Sequence, residues 1–392
     1  MSASQKRFTS FAALFLMYFM FSALPSVMLT PLLTTLGYSN LEIGFLYSLG
    51  AISGIVISTL IGKFADRVRK LKPFVMISLM VAIIVTAFLF TKQSASFLCF
   101  LFGISAASLS RLISGLLDSW AVESDASIRK HYGAIRAFGS IGFAIGLGVL
   151  IRFVDVYGFS AILPINIILG SVTMGLVFMT PDVSPIKHTH EKPSLKQLFT
   201  PLYSIWILVF FFIFFVIGVE DMTITMKMLE LGASKSQIAW FFSAQALFEL
   251  PIFLLGATLM RRFGAIKLLV IATIAMSTKM FLFSFSGSPA TMLGLAFIQM
   301  LTFPLFMITS KHLVYEASDP QLKISGQLVG GALYGNLSGV IAPALIGSLA
   351  SLTNVATSLF ALGSLLFIPL FITLLLSFQL RKSSKTTPTM PL

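Results

Sequence analysis

The stretch Leu36-Gly37-Tyr38-Ser39-Asn40-Leu41-Glu42-Ile43-Gly44-Phe45-Leu46-Tyr47-Ser48 has a counterpart about 195 residues on. That counterpart reads Leu231-Gly232-Ala233-Ser234-Lys235-Ser236-Gln237-Ile238-Ala239-Trp240-Phe241-Phe242-Ser243. Gly62 and Arg67 follow the first copy, as Gly256 and Arg262 follow the second. In a chain of 392 residues this interval is half the length, so the sequence reads as one unit written twice. Both copies are almost wholly apolar. A duplicated membrane bundle sets a site between its halves and lets them rock around it, which is how a carrier is built.

Composition explains why lipid must be the solvent. Hydrophobic residues make up 57% of the chain and charged ones 10%, with a mean hydropathy of +0.95, whereas a soluble domain carries about 25% charged residues. The formal net charge of +13 would suit nucleic acid, but Lys and Arg sit in short clusters between apolar runs, as the loops of a membrane protein require. Nucleic-acid binding is therefore not expected. The single cysteine, Cys99, lies inside an apolar run and supplies neither a disulfide nor a metal site. No cofactor is expected. The first apolar run, Phe11 to Leu33, is too long for a signal-peptide core and lacks a small-residue cleavage site, so it reads as a retained helix.

Runs long enough to cross the hydrocarbon layer fall near 9–34, 41–62, 73–91, 96–121, 133–152 and 160–180, then near 203–229, 237–259, 266–286, 289–315, 325–349 and 354–379. In lipid each must satisfy its own backbone hydrogen bonds, so each is a helix. The expected fold is an all-α integral membrane protein of twelve transmembrane helices in two six-helix bundles. Residues 1–180 form the first bundle, 181–200 a linker rich in proline and charge, and 201–392 the second bundle with a short tail. With the N-terminus inside, the inner segments hold 20 Lys and Arg and the outer segments four, namely Lys92, Arg152, Lys227 and Lys235. That asymmetry puts both ends in the cytoplasm; a multi-pass protein of the cytoplasmic (inner) membrane, present as a monomer, is expected. His188 and His190 in the linker read as solvated side chains, not metal ligands.

Among the ionisable side chains within the predicted spans, seven stand out: Arg111, Asp118, Arg136, Glu220, Asp221, Glu249 and Lys279. A charge at the bilayer centre costs about 2.5–3.5 kcal/mol on insertion scales. These side chains must pair or face a wet cavity, and they mark a substrate or ion path. Arg111 and Asp118 are seven apart and so share one helix face. Gln245 and Glu249 share another. Gly142 and Gly146, four apart, let their helix pack closely on a neighbour. Bland readings exist for several of them, such as a structural ion pair or a snorkelling end residue; Glu249, deep in its span and followed by Pro251, resists them most.

The segment Gly62-Lys63-Phe64-Ala65-Asp66-Arg67-Val68-Arg69-Lys70 resembles the signature loop of the major facilitator superfamily. That resemblance implies a conformational latch formed by Gly62, Asp66, Arg67 and Arg69, and only the first half keeps its aspartate. The run from Asp118 to Phe143 looks like the lactose permease branch, the oligosaccharide:proton symporters. On that resemblance Asp118 and Arg136, 18 apart, bracket sugar hydroxyls while Phe143 offers a stacking face. Glu220 and Glu249, 29 apart, fall on the family's carboxylates of spans 7 and 8, and Lys279 on its span-9 arginine. The family's proton-carrying histidine and glutamate appear here as Gln299 and Thr302, and its span-11 lysine as Leu337 beside Asn336.

These matches imply a substrate site of Asp118, Arg136, Phe143, Gln299 and Asn336. Proton coupling then falls to Glu249 with Glu220, Asp221, Lys279 and Arg111. The expected activity is transport of a small polar solute (a saccharide, glycoside or nucleoside) coupled to protons. Arg111-Leu112-Ile113-Ser114-Gly115 is similar to a motif of proton-antiporting drug exporters. That similarity makes export of amphipathic compounds the alternative. No nucleophile–base or metal-ligand spacing in the loops suggests an enzyme, and a sensor or scaffold would need an appended soluble domain.

Overall fold

The computed structural model describes all residues except 1–2, 69, 92–94, 125–127, 129–131, 183–194, 320–321 and 387–392. Twelve helices are long and apolar enough to cross a membrane. They are α1 Gln5–Thr35, α2 Asn40–Ile61, α3 Lys72–Thr91, α4 Phe97–Ala121, α5 Tyr132–Tyr157 and α6 Phe159–Met179, followed by α7 Pro201–Glu230, α8 Lys235–Phe263, α9 Ala265–Phe285, α10 Pro289–Ala317, α11 Val329–Leu352 and α12 Val355–Gln379. The expected twelve helices are observed, and because their number is even, α1 begins and α12 ends on one face.

Helix starts follow local chemistry. Ser234 caps α8 in a reciprocal capping box with Gln237, and Thr200 caps α7 by accepting from the Tyr203 N–H, with Pro201 in the first turn. Irregular winding in two of the helices bears on the interior. In α10, Pro304 has no N–H to give, and the chain winds as a 3₁₀ helix over Ala296–Leu301 before resuming at Phe303. In α11 a π turn occupies Ala332–Asn336.

Packing divides the molecule into two ends. Toward the chain termini, Phe11, Leu14, Leu71, Leu117, Trp120 and Val177 belong to a core confined to the first bundle. Toward the opposite face, Leu32 and Ile43 of the first bundle join Ile238 and Ile346 of the second in one continuous core. The bundles are thus fused at the end away from the termini.

The repeated sequence stretch builds that fusion. Ser48 of α2 accepts the Ala344 N–H of α11 at 3.0 Å, and its counterpart Ser243 of α8 donates to the Ala144 carbonyl of α5 at 2.9 Å. Leu41 N–H donates to Ser351 Oγ at 2.9 Å; its partner in the other copy, Ser236, donates to Asp155. The seam between α2 and α11 needs small residues. A Cβ on Gly44 would strike the Pro343 carbonyl, and one on Gly347 would strike the Asn40 carbonyl. Gly142 and Gly146 let α5 lie as closely on α1, against the Leu16 and Met20 carbonyls.

A side chain at position 347 therefore opens the seam. Overpacking costs about 1–3 kcal/mol, enough to shift a two-state equilibrium about tenfold. Cysteines placed at Leu41 and Ser351 are expected to cross-link readily with Gly347 present and at about a tenth of that rate in Gly347→Leu. An undiminished rate would show that the seam is not closed by backbone contact.

Candidate functional site

A cavity of about 460 Å³ lies between the bundles, lined from α1, α2, α3, α4 and α5 on one side and α7, α8 and α11 on the other. That volume falls within the range of small-molecule sites, about 300–1,000 Å³. Its walls mix aromatic faces (Tyr18, Tyr47, Phe143, Phe214, Phe242) with hydroxyls such as Ser26, Thr30 and Ser110. Tyr47 and Phe242 occupy the same register of the two sequence copies, one residue before the seam serines. The repeat therefore lines the cavity and closes it in one motif. Tyr47 is held by Thr30, hydroxyl to hydroxyl at 3.0 Å, and Tyr18 donates to the Ser110 carbonyl at 3.0 Å.

Of the residues singled out from the sequence, Arg111, Asp221 and Phe143 line this cavity. The Arg111 guanidinium extends from α4 to the backbone of α11, where a Cβ on Gly339 would stand 2.8 Å from Nη1. Arg111 and Asp221 are exposed although both lie within the spans, and the surface they are exposed to is the cavity's.

Glu220, Lys279, Gln299 and Glu249 form a second constellation inside the second bundle. Lys279 is wholly buried. Its ammonium is paired with Glu220 and also donates to the Gln299 carbonyl oxygen. The Gln299 amide donates to Glu249 Oε1 at 2.8 Å, and Thr302 donates to Gln299 Oε1 at 3.1 Å. The 3₁₀ segment before Pro304 presents Gln299 at this point. One amide thus links an ion pair to the Glu249 carboxylate across α7, α9, α10 and α8. One turn from Glu249, the buried Gln245 side-chain N–H₂ has no hydrogen-bond partner among the described residues.

Asp118 and Arg136 sit toward the terminal face. Tyr132 donates to Asp118 Oδ1 at 2.6 Å, and Arg136 stacks over the Phe19 ring with 4.2 Å to its centroid. Lys311 of the second bundle lies 5.9 Å from the Tyr132 ring centroid. Asn336 is exposed on the π turn of α11. Of the latch motif, Gly62, Asp66 and Arg67 continue the helix that runs to Val68, and Arg69 lies outside the described residues. His188 and His190 also lie outside them. Among the described residues no group of three or more His, Cys, Asp or Glu side chains could hold a metal ion.

Sequence reasoning missed Tyr47 and Phe242. The signal was present, since both stand inside the repeated stretch, but an aromatic residue on an apolar helix reads equally as core.

Two six-helix membrane bundles joined around a polar, charged cavity make up a transporter fold. The chain belongs to the MFS_1 like family, whose model matches residues 11–339. Comparison with curated protein sequences gives no match. Among solved structures, a mutant of the nucleoside transporter NupG superposes with a TM-score of 0.77 at 16% identity, over 94% of this chain and 98% of that one. The human organic anion transporter MFSD10 (TETRAN) gives 0.66 at 16% identity, covering 95% and 100% of the two chains. A bacterial homolog of the human lysosomal transporter Spinster gives 0.70 at 14% identity, covering 94% and 96%. Likeness at these identities concerns the fold.

Proposed function

We propose that the protein moves a small polar solute by alternating access, with the bundles of residues 1–180 and 201–392 rocking about the seam and proton movement coupled through Glu249. The observation that carries this reading is the cavity between the bundles, closed at one end by two symmetry-related seams that a small rotation would break. The distribution of Lys and Arg supports a cytoplasmic-membrane protein with both termini inside, so the seam would close the outer face. The spacing of Asp118 and Arg136 supports the lactose permease branch and, with it, a saccharide, glycoside or nucleoside. Stacking faces and hydroxyls in the cavity suit a solute that presents a ring and polar substituents. A second reading, export of amphipathic compounds by proton antiport, is favoured by the cavity position of Arg111 and its aromatic surroundings.

Reconstitution in proteoliposomes with an imposed pH gradient tests the proposal. Labelled uridine and lactose are the first probes, and accumulation above equilibrium that collapses with an uncoupler is expected for at least one. If neither accumulates and overexpression instead confers resistance to cationic dyes, the export reading replaces it.

A further inference from the structure

Arg111 and Asp221 are the charged members of the cavity lining. They stand on opposite bundles, Arg111 on α4 and Asp221 on α7. Neither side chain is hydrogen-bonded or ion-paired among the described residues. Their neighbours differ in this respect. Glu220, adjacent to Asp221 in sequence, is turned into the second bundle and neutralised by Lys279, and Asp118 is held by Tyr132. The two charges feel each other across the cavity without making contact, an arrangement that is costly at membrane depth unless water or a ligand meets them. The same cavity is lined by the rings of Phe143, Phe214 and Phe242 and the thioether of Met222, surfaces that favour an apolar body.

We infer that the solute is a zwitterion with an aromatic or similarly apolar body, its carboxylate bound by Arg111, its ammonium by Asp221 and its ring among Phe143, Phe214 and Phe242. This inference rests on the reading of the cavity as the solute site of a carrier and puts a doubly charged solute there in place of the neutral saccharide or nucleoside. A guanidinium takes a carboxylate in a forked pair of charge-assisted hydrogen bonds, and an ammonium meets a carboxylate as a point charge. A solute with one charge satisfies one wall and leaves the other bare. A neutral sugar or nucleoside satisfies hydroxyl partners and strands both charges. A zwitterion meets both and ties the two bundles together, so its binding favours the arrangement in which α4 and α7 approach.

Four probes separate these cases: L-phenylalanine, 2-phenylethylamine, 3-phenylpropanoate and uridine. Each is titrated by calorimetry into the full-length protein in nanodiscs at neutral pH. L-Phenylalanine is expected to bind at least about tenfold more tightly than any of the others, a difference of about 1.4 kcal/mol. Arg111→Gln is expected to weaken phenylalanine and phenylpropanoate while leaving phenylethylamine unchanged. Asp221→Asn is expected to weaken phenylalanine and phenylethylamine while leaving phenylpropanoate unchanged.

Phenylalanine binding no tighter than the single-charge analogues or uridine, including no measurable binding, overturns the inference, as does equal loss of all probes in both variants. The carrier reading fails separately. Uridine or lactose accumulation with weak phenylalanine binding leaves the carrier and removes the zwitterion. Tight phenylalanine binding without counterflow in proteoliposomes keeps the site and removes the carrier.

Discussion

Lys279→Met is expected to destabilise the second bundle by about 3–5 kcal/mol, the penalty for breaking a buried ion pair from one side. The ammonium is wholly shielded from solvent and donates both to Glu220 and to Gln299. Without it the Glu220 carboxylate is left charged among apolar side chains, and the Gln299 carbonyl oxygen keeps only Thr302. The double variant Lys279→Met/Glu220→Gln removes both charges together and is expected to recover most of the loss, since replacing a buried pair as a unit is often neutral. Thermal unfolding in detergent, followed by tryptophan fluorescence, reads both variants. Equal instability of the single and double variants would show that Lys279 acts through packing and not through charge.

Glu249→Gln is expected to abolish concentrative transport while leaving downhill exchange intact. A one-unit pH gradient sustains about tenfold accumulation per coupled proton, because about 1.4 kcal/mol is a factor of ten. The variant should therefore lose its dependence on that gradient and bring solute only to equilibrium. The isosteric amide can still accept the hydrogen bond that the Gln299 amide gives to Oε1, so the network geometry is kept while the titrating group is lost. Proteoliposome uptake with the outside acidified, compared with counterflow at equal pH, separates these two outcomes. Unchanged gradient dependence would move the coupling site elsewhere, with Asp221, exposed to the cavity, as the next carboxylate to replace.

The helices were legible because lipid leaves the backbone one open-chain solution; every expected span has a counterpart within a few residues. The duplicated stretch was legible too. Its wider role was not, because hydrogen bonds from Ser48 to α11 and from Ser243 to α5 are long-range contacts that no local spacing encodes. Charges in the spans pointed to the interior, yet their grouping needed coordinates. Gln299 reaches Lys279 and Glu249 because a 3₁₀ segment precedes Pro304, a change of winding that a regular helical wheel misplaces. Asp118 and Arg136 sit toward the terminal face with Tyr132 and Phe19 as partners. Arg111 and Asp221, by contrast, face the cavity itself. Which buried charge is matched and which is bare depends on neighbours from other helices.

The seam and the terminal face are expected to open in alternation. Paired spin labels read this directly in a Cys99→Ser background, one pair at Thr35 and Thr353 across the sealed end and the other at Lys70 and Asp319 across the terminal end. The two distance distributions are expected to move in opposite directions when pH is changed or Gly347→Leu is introduced. Distances that stay fixed together, or lengthen together, would contradict it.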